Sequence, residues 1–494
     1  MDKIITMKTL FIFRNAEWLG IEYLSSVLKK AGHQTKLLFN PGAGDIEFKI
    51  PFFEKIGNID AVIIEEAIRY NPDLIAFSSL TNIYSWQKKI AVELKKHLAA
   101  PIIFGGIHAT AVPDQMLSQD FVDMVCIGEG EEALVELAHA MANHENIYSI
   151  QNIWFKNNGS IIKNSVRPLI HDLDVLPFPD KEIFYKYGCF YDRLYIMTGR
   201  GCPFSCSYCY NATYKNLYGS KNPYVRRRSV RNVIDEILYF RSRYPIKEIF
   251  FYDDIFTIQK QWLEEFASSY PKEVGLPYKC LIHVDTIDEE IMRLLSKSGC
   301  YYVDMGLESG NEKIRKQLLY RNTTNEQIKR VAHLLRKYRI PFTTLNMVGL
   351  PSEAQEEMWD TVDLNIAIKP NNALFTTFYP FPNTPLTDRA ELLGYIDDEV
   401  RLKLNNGEKS YKESTILNHP EKDTILWISS FAPILVKWTF LTAILKRLKP
   451  NRFFRFIAIF FSSPLRNIFF RTKELVLMYV KTRTYYYMKR NIRE

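Results

Sequence analysis

Three cysteines within eight residues, Cys202, Cys206 and Cys209, stand out in a 494-residue chain that has seven in all. They lie in Thr198-Gly199-Arg200-Gly201-Cys202-Pro203-Phe204-Ser205-Cys206-Ser207-Tyr208-Cys209-Tyr210, directly after Arg193–Met197, which predicts a strand. A spacing of three residues, then two, suits three thiolates on three corners of an iron–sulfur cubane and leaves the fourth iron without a protein ligand. An open position of that kind is where a substrate can be activated. The competing reading is a zinc site or a set of buried free thiols. Structural zinc takes four ligands, commonly from paired CxxC units, and the nearest upstream donors are Cys189 and His171. Cys126, Cys189, Cys280 and Cys300 show no second ligand spacing and read as small buried hydrophobes.

Further polar groups fall at the carboxyl ends of predicted strands. Asp253 and Asp254 follow Glu248–Tyr252, Glu308 sits in Gly306-Leu307-Glu308-Ser309-Gly310, and Asn346 precedes Gly349-Leu350-Pro351-Ser352-Glu353. Each acid also reads as an ordinary helix N-cap, and a lone histidine such as His283 is commonly structural. In the N-terminal third, Ser78-Ser79-Leu80 follows one strand and Gly105-Gly106-Ile107-His108-Ala109-Thr110 the next, with Ile127-Gly128-Glu129-Gly130-Glu131 after a third. Any one of these pieces is weak; their order ahead of the cysteine cluster is the signal.

The cysteine spacing, with the aromatic Tyr208 before the last cysteine, resembles the radical S-adenosylmethionine (SAM) superfamily. That resemblance implies a 4Fe–4S cluster on Cys202, Cys206 and Cys209, with the methionine amino and carboxylate groups of SAM on the open iron. One electron then breaks a carbon–sulfur bond of the sulfonium. It also implies that Tyr208 packs near the adenine, that Asp253 and Asp254 face the SAM ammonium, that Glu308 meets ribose hydroxyls or the ammonium, and that Asn346 and the Gly349 turn lie by the adenosine. Tyr252-Asp253-Asp254 stands where many members have glycine-glycine-glutamate, and His283 where related sequences often carry arginine. The N-terminal segments resemble cobalamin-binding radical enzymes, which implies cobalamin contacts from Ser78, Leu80, Gly105, Gly106, His108, Gly128 and Gly130. Glycine there would let backbone approach the corrin and its nucleotide tail. Asn15-Ala16-Glu17-Trp18-Leu19-Gly20 matches a loop that in many cobalamin domains carries an axial histidine; Glu17 holds that place here. Cobalamin is therefore expected to bind without axial histidine, with His108 at the nucleotide tail or simply packed. The competing reading of this region is a flavodoxin-like sheet with another nucleotide or a structural role. The resemblance covers roughly residues 1–390.

These residues need a scaffold, and the pattern supplies one. Strands at Leu10–Phe13, Leu74–Phe77, Ile102–Phe104 and Met124–Ile127 alternate with helices at Gly20–Ala31, near Trp86–His97 and at Glu131–Ala142. That alternation predicts an α/β, doubly wound parallel sheet over 1–150. Residues 151–190 read as a strand pair turning at Asn157-Asn158-Gly159, then a linker with Leu176-Pro177-Phe178-Pro179 extended. Over 191–395, six strands (Arg193–Met197, Glu248–Tyr252, Lys279–Val284, Tyr302–Gly306, Thr343–Val348, Leu374–Tyr379) predict a partial (β/α)6 barrel with ligands at the strands' carboxyl ends. Residues 396–494 form a helical, basic region.

Composition is globular, with 47% hydrophobic and 24% charged residues. The net charge of +8 is uneven: Thr424–Glu494 holds 14 Lys or Arg against 2 acids, which leaves the rest of the chain at −4. Such a tail suits anionic lipid, nucleic acid or an acidic partner, or is a helical cap with a solvated basic face. Its apolar runs, Thr424–Val436 and Phe456–Leu465, are short of the about 20 residues a spanning helix needs, which leaves room for a peripheral membrane contact. No apolar segment at the N-terminus reads as a secretory signal, so the expected location is cytoplasmic.

Three enzymatic functions follow, with a non-catalytic cobalamin-binding or redox-sensing protein as a fourth reading. The first is methyl transfer to an unactivated carbon or phosphorus, one SAM methylating cobalamin and a second yielding the 5′-deoxyadenosyl radical. The second is a cobalamin-dependent radical cyclase or oxidative enzyme that makes no methyl transfer. The third is an RNA-modifying enzyme resembling methylthiotransferases, which the absence of further cluster cysteines in the N-terminal domain disfavours. Expected partners are a small-molecule or lipid substrate and a reductase or flavodoxin-type electron donor; nucleic acid is not expected.

Overall fold

The computed structural model describes residues 6–42, 59–189, 192–219, 223–408, 415–442, 480–482 and 484–486. Its N-terminal sheet contains β1 (Lys8–Arg14), β2 (Gln34–Asn40), β3 (Leu74–Ser78), β4 (Ile102–Gly105), β5 (Met124–Cys126), β6 (Ile153–Asn157) and β7 (Ser160–Lys163), in the order β2-β1-β3-β4-β5-β6-β7. β1 to β5 run parallel, and β3 is buried along its whole length, as helices on both faces require. β2 and β3 flank β1 on opposite sides, so the strand order reverses there, and ligands of such sheets bind beyond the carboxyl ends at that point. The chain thus has the doubly wound N-terminal sheet that its pattern predicts. β2 and the helix Ile59–Tyr70 lie outside the predicted elements. β2 opens on the polar Gln34-Thr35-Lys36 before its buried Leu37–Phe39, which breaks the apolar run a reader looks for.

β6 and β7 form an antiparallel hairpin on the far edge, closed by Asn158 and Gly159 with φ of 46° and 78°. Two residues with positive φ are what a tight hairpin with the strands' own twist demands. The hairpin belongs to the N-terminal sheet, which therefore extends past residue 150.

The second sheet is parallel throughout, with β8 (Arg193–Ile196), β11 (Glu248–Phe251), β12 (Tyr278–Ile282), β13 (Cys300–Glu308), β14 (Phe342–Val348) and β15 (Asn372–Thr377) in the order β15-β14-β13-β12-β11-β8. These are the six strands expected of a partial barrel. A two-stranded ribbon, β9 (Gly199–Arg200) with β10 (Arg226–Arg227), sits beside the cysteine loop.

The helix Lys422–Lys437 covers the β15 side of the barrel. Its Ile425, Ile428 and Phe431 pack with Val348 and Phe375 of β14 and β15 and with Met358 and Val362. The apolar run Thr424–Val436 is therefore interior surface, not a membrane face. Among the described residues no helix is long and apolar enough to cross a membrane; Phe456–Leu465 lies outside them.

The connector between the two sheets is held by charge. Lys181, fully buried, pairs with Glu17 Oε1 at 2.5 Å and Glu22 Oε2 at 2.6 Å, both also buried. Burial disfavours the ammonium, but the two carboxylates outweigh that and keep it protonated. Burial likewise drives the Glu22 carboxyl well up, against the pull of Lys181 and with the push of Glu17. Asp180 accepts from Ser25 Oγ at 2.6 Å and pairs with Lys29. One buried cation thus fastens residues 180–181 to the start of the first helix, Leu19–Lys30. Removing one partner of such a set leaves uncompensated buried charge and costs about 3–5 kcal/mol. Lys181→Met should lose stability of that order in chemical denaturation, and adding Glu17→Gln should recover part of it. Equal loss in the single and double variants would contradict the pairing.

Candidate functional site

The cysteine loop leaves β8 under the control of Asp253. This buried carboxylate accepts from the Thr198 amide at 2.6 Å, the Gly199 amide at 3.2 Å and the Thr198 hydroxyl, with Arg227 at 3.9 Å. Burial raises its carboxyl, against Arg227 and these donors. Asp253 thus places the loop through both of its oxygens. Asp254 differs: it is exposed at the site mouth and lies within electrostatic reach of Cys202 and Cys209. Protein crowding holds its carboxyl above the ordinary value, while Asn211 pulls it down.

Cys202 and Cys206 are buried and Cys209 partly so, and the three thiols feel one another's charge. Burial pushes Cys202 up to about 12 and Cys209 up to about 11, so without a bound cation both stay protonated at neutral pH. Among the described residues no three His, Cys, Asp or Glu converge on a single-ion site. A cubane asks for something else: buried thiolates on one loop, each taking a different iron. The donor set fits that group.

Around the thiols lies a polar cluster that the sequence only half displays. Arg321, buried, donates to the Tyr208 hydroxyl at 3.2 Å and the Gly306 carbonyl at 2.9 Å, and stands 3.9 Å from Cys206 Sγ and from Glu308. Glu308 closes β13 with φ of 69° beside a register shift at Gly306. Left-handed backbone at a bulky residue is strained and collects at functional positions. Burial raises its carboxyl, while Arg321 and the Tyr208 hydroxyl lower it. Sequence reading found Tyr208 and Glu308 but missed Arg321, 13 residues past Glu308, because nothing local distinguishes it from a surface arginine. His283 stacks on Phe204 at 3.9 Å, and its Nδ1 accepts from the Asp285 amide. Burial and then Arg321 push it down to about 3, so it is neutral. The cation beside the cluster loop is therefore Arg321 and not His283.

Asn346 is buried and fully engaged in the barrel wall. It donates to Thr344 and to the Leu374 carbonyl and accepts from Asn365 at 2.8 Å. It braces β14. Glu353 accepts from the Gly349 and Leu350 amides at 2.7 and 3.0 Å, shaping the Gly349 turn.

In the N-terminal half, the expected cobalamin residues gather at the carboxyl ends of β3, β4 and β5. Ser78 accepts from Trp18 Nε1 at 3.0 Å, and Leu80 begins the helix Thr81–Lys95. Gly106 and Gly128, both at positive φ, have no room for a side chain, whereas Gly105 and Gly130 have ordinary contact distances. A Cβ on Gly106 would meet Ser79 backbone at 3.0 Å, one on Gly128 would strike the Tyr218 hydroxyl at 2.0 Å, and those on Gly105 and Gly130 would touch Cys126 at 3.5 and 3.4 Å. His108 is fully buried, bonded through Nδ1 to Thr81 at 3.2 Å and packed on Tyr84 at 4.6 Å. Burial pushes it down to about 4, against the Asn405 backbone. Yet Ser79 Oγ is buried without a well-formed hydrogen bond, and His108 Nε2 has only the Asn405 backbone near it. Buried polar atoms in want of partners, at the carboxyl ends of a doubly wound sheet, fit a polar cofactor tail. Glu17, at the axial-histidine place, is held by Lys181.

The two halves interlock. Glu129 accepts from Arg200 at 2.9 Å and from both terminal nitrogens of Arg226, and Arg200 also pairs with Glu131 at 2.5 Å. Burial raises Glu129, but the two arginines outweigh it and hold the carboxyl low. Arg200 lies two residues before Cys202, so the loop after β5 is ion-paired to the entrance of the cysteine loop.

A doubly wound sheet abutting a partial barrel whose mouth carries a three-thiol loop defines an enzyme that brings a corrin and an iron–sulfur cluster to one site. Residues 196–364 match the family model for the radical SAM superfamily and residues 14–138 that for the B12 binding domain. The chain belongs to the cobalamin-binding radical SAM enzymes, and a 4Fe–4S cluster, SAM and cobalamin are its cofactors. It is similar to an uncharacterized methyltransferase of Pyrococcus horikoshii, 27% identical over 75% of this chain and 78% of that one. A cytidylyl-2-hydroxyethylphosphonate methyltransferase of Streptomyces wedmorensis is 26% identical over 81% and 82%. An anaerobic magnesium-protoporphyrin IX monomethyl ester cyclase of Cereibacter sphaeroides is 26% identical over 76% and 61%. The fold is that of the radical SAM methyltransferase TsrM from Kitasatospora setae, with a TM-score of 0.63 at 18% identity over 79% and 76% of the chains.

The Gly349 turn yields a pH test. Burial raises Glu353 from 4.5 to about 8, against its two amide donors. The folded chain therefore holds a proton that the unfolded chain has released, and stability falls as pH rises between about 4.5 and 8, by at most about 1.4 kcal/mol per unit. Anaerobic thermal melts across that window should slope downward with pH, and Glu353→Gln should flatten the slope; a steeper slope in the variant would refute this.

Proposed function

We propose that the chain is a cobalamin-dependent methyltransferase that acts on an unactivated carbon of a small-molecule or lipid substrate. The observation that carries this reading is the interlock at Glu129, Arg200 and Arg226, which builds the cobalamin-domain loop and the cysteine loop into one site. Two relatives with methyltransferase names, matched over three quarters of the chain or more, support it.

In this reading Cys202, Cys206 and Cys209 hold the cluster, and Tyr208, Glu308 and Arg321 form the wall beside it. Arg321 supplies the fixed positive charge that orients a carboxylate, and Asp254 offers an open carboxylate at the mouth. Asp253 and Asn346 place the strand ends, while Ser78, Ser79, Leu80, Gly106 and His108 frame the path of a nucleotide tail. When bound, the cluster, SAM and cobalamin supply the electron, the radical and the methyl carrier. A donor of the reductase or flavodoxin type delivers the electron. An oxygen-sensitive cluster and free thiols call for a reducing compartment, the cytoplasm.

Anaerobic reconstitution with iron, sulfide and hydroxocobalamin should give one cubane and one corrin per chain. Under reduction with SAM, 5′-deoxyadenosine and about one equivalent of S-adenosylhomocysteine per corrin should form. Formation of 5′-deoxyadenosine without S-adenosylhomocysteine would overturn methyl transfer and favour the cyclase-type outcome. Cys206→Ala should lose iron and 5′-deoxyadenosine while it binds corrin as the parent does.

A further inference from the structure

The helix Tyr210–Tyr218 starts directly after the last cluster cysteine, with Cys209 as its N-cap residue. Its tyrosines at 210, 214 and 218 are spaced by four, so they share one face. Each hydroxyl reaches a different loop of the N-terminal sheet. Tyr210 meets Thr81 Oγ1 at 3.1 Å, after β3. Tyr214 donates to Thr110 Oγ1 at 3.3 Å, after β4. Tyr218 accepts from the Glu129 amide at 2.9 Å, after β5. Gly128 has no room for a side chain because the Tyr218 hydroxyl fills that place.

The receiving loops are themselves tied together. Thr81 bonds His108 at 3.2 Å, and Thr110 accepts from the Gly128 amide at 3.0 Å. Three strand-end loops and one helix therefore form a single hydrogen-bonded wall. The three hydroxyls span about 12 Å along a rigid helix, which fixes both the tilt and the slide of its cysteine end. None of them faces bulk water: Tyr218 is buried and the others are partly so. Burial raises Tyr214 to about 12, so its phenol stays protonated and able to donate.

We infer that Tyr210, Tyr214 and Tyr218 are positioning residues that set the separation between the cluster and a corrin bound at the carboxyl ends of β3, β4 and β5. The inference rests on the proposed two-cofactor site. A rigid ladder suits that task better than a flexible linker, because a catalytic constellation must be held within about half an ångström of its productive geometry. Phenylalanine keeps the ring packing and removes only the hydroxyl contacts, so the ladder can be loosened without a cavity.

The test uses the full chain, reconstituted anaerobically with iron and sulfide, with and without hydroxocobalamin. Dipolar electron paramagnetic resonance between the reduced cluster and cob(II)alamin should give one narrow distance in the parent. In the triple Tyr210→Phe, Tyr214→Phe, Tyr218→Phe variant, with iron and corrin content unchanged, it should give a broadened or displaced distribution. An unchanged distribution would overturn the inference. Hydrogen exchange provides an arm that needs no corrin: Tyr218→Phe removes the acceptor of the Glu129 amide, and exchange there should rise about five- to tenfold. Exchange at the parent rate would also overturn it. If the parent itself bound no corrin, the two-cofactor reading would fall, while the exchange arm would still report on the clamp. If the triple variant did not load iron, Gly128→Ala, which displaces the Tyr218 hydroxyl from the opposite side, should produce the same change in distance; no change would count against the ladder.

Discussion

A buried carboxylate that accepts two consecutive backbone amides fixes a chain's direction more firmly than any side-chain contact, because amides cannot swing away. Asp253 does this to Thr198 and Gly199 at the end of β8. Everything at the site's centre follows from the angle so imposed. Gly199 and Arg200 then pair as β9 with β10, Arg200 turns toward Glu129 and Glu131, and two residues later the first thiol is in place. The strand that supplies Asp253, β11, is paired in register with β8 from Glu248↔Arg193 to Phe251↔Ile196. A one-residue slip would reverse every side chain, so the apolar alternation of both strands secures the carboxylate that secures the loop.

The same economy governs the boundary between the halves. Lys181 with Glu17 and Glu22, and Glu129 with Arg200 and Arg226, are charges removed from water and matched across elements far apart in sequence. Such sets contribute little net stability, since desolvation consumes most of the attraction. They penalise every other arrangement heavily, because any displacement leaves a charge buried alone. Two cofactors that must meet across a domain boundary require that kind of selectivity more than they require tight adhesion.

How much of this was legible in the sequence depends on the range of the interaction. The six barrel strands and the helix Glu131–Ala142 follow from local periodicity, and the cysteine loop from local spacing. The hold of Asp253 on the cysteine loop is not legible locally, because its partners lie 55 residues away and no local signal announces a backbone contact. Gly106 and Gly128 carry a constraint the sequence does not display, since Ser79 and Tyr218 occupy the places their side chains would take. Arg321 and the tyrosine ladder were missed for the same reason. An arginine near a helix and tyrosines at every fourth position carry their meaning only once the opposite surface is known.

The C-terminal composition allows either a lipid contact or a helical cap, and the described part caps the barrel: Ile425 is what denies Gly349 a side chain, at 2.8 Å, and His419 bonds the Leu350 carbonyl at 3.1 Å. The segment thereby braces the turn that Glu353 shapes. Gly407 lies where a Cβ would meet the Thr81 carbonyl at 2.2 Å, so residues 398–408 press against the start of the helix that also receives Tyr210. Farther on, the Tyr486 hydroxyl bonds both the amide and the carbonyl of Phe39 in β2, the edge strand of the N-terminal sheet. An edge strand with unmet backbone groups invites pairing with other chains, and capping it from the far end of the same chain removes that hazard. The described residues after 396 therefore brace both sheets.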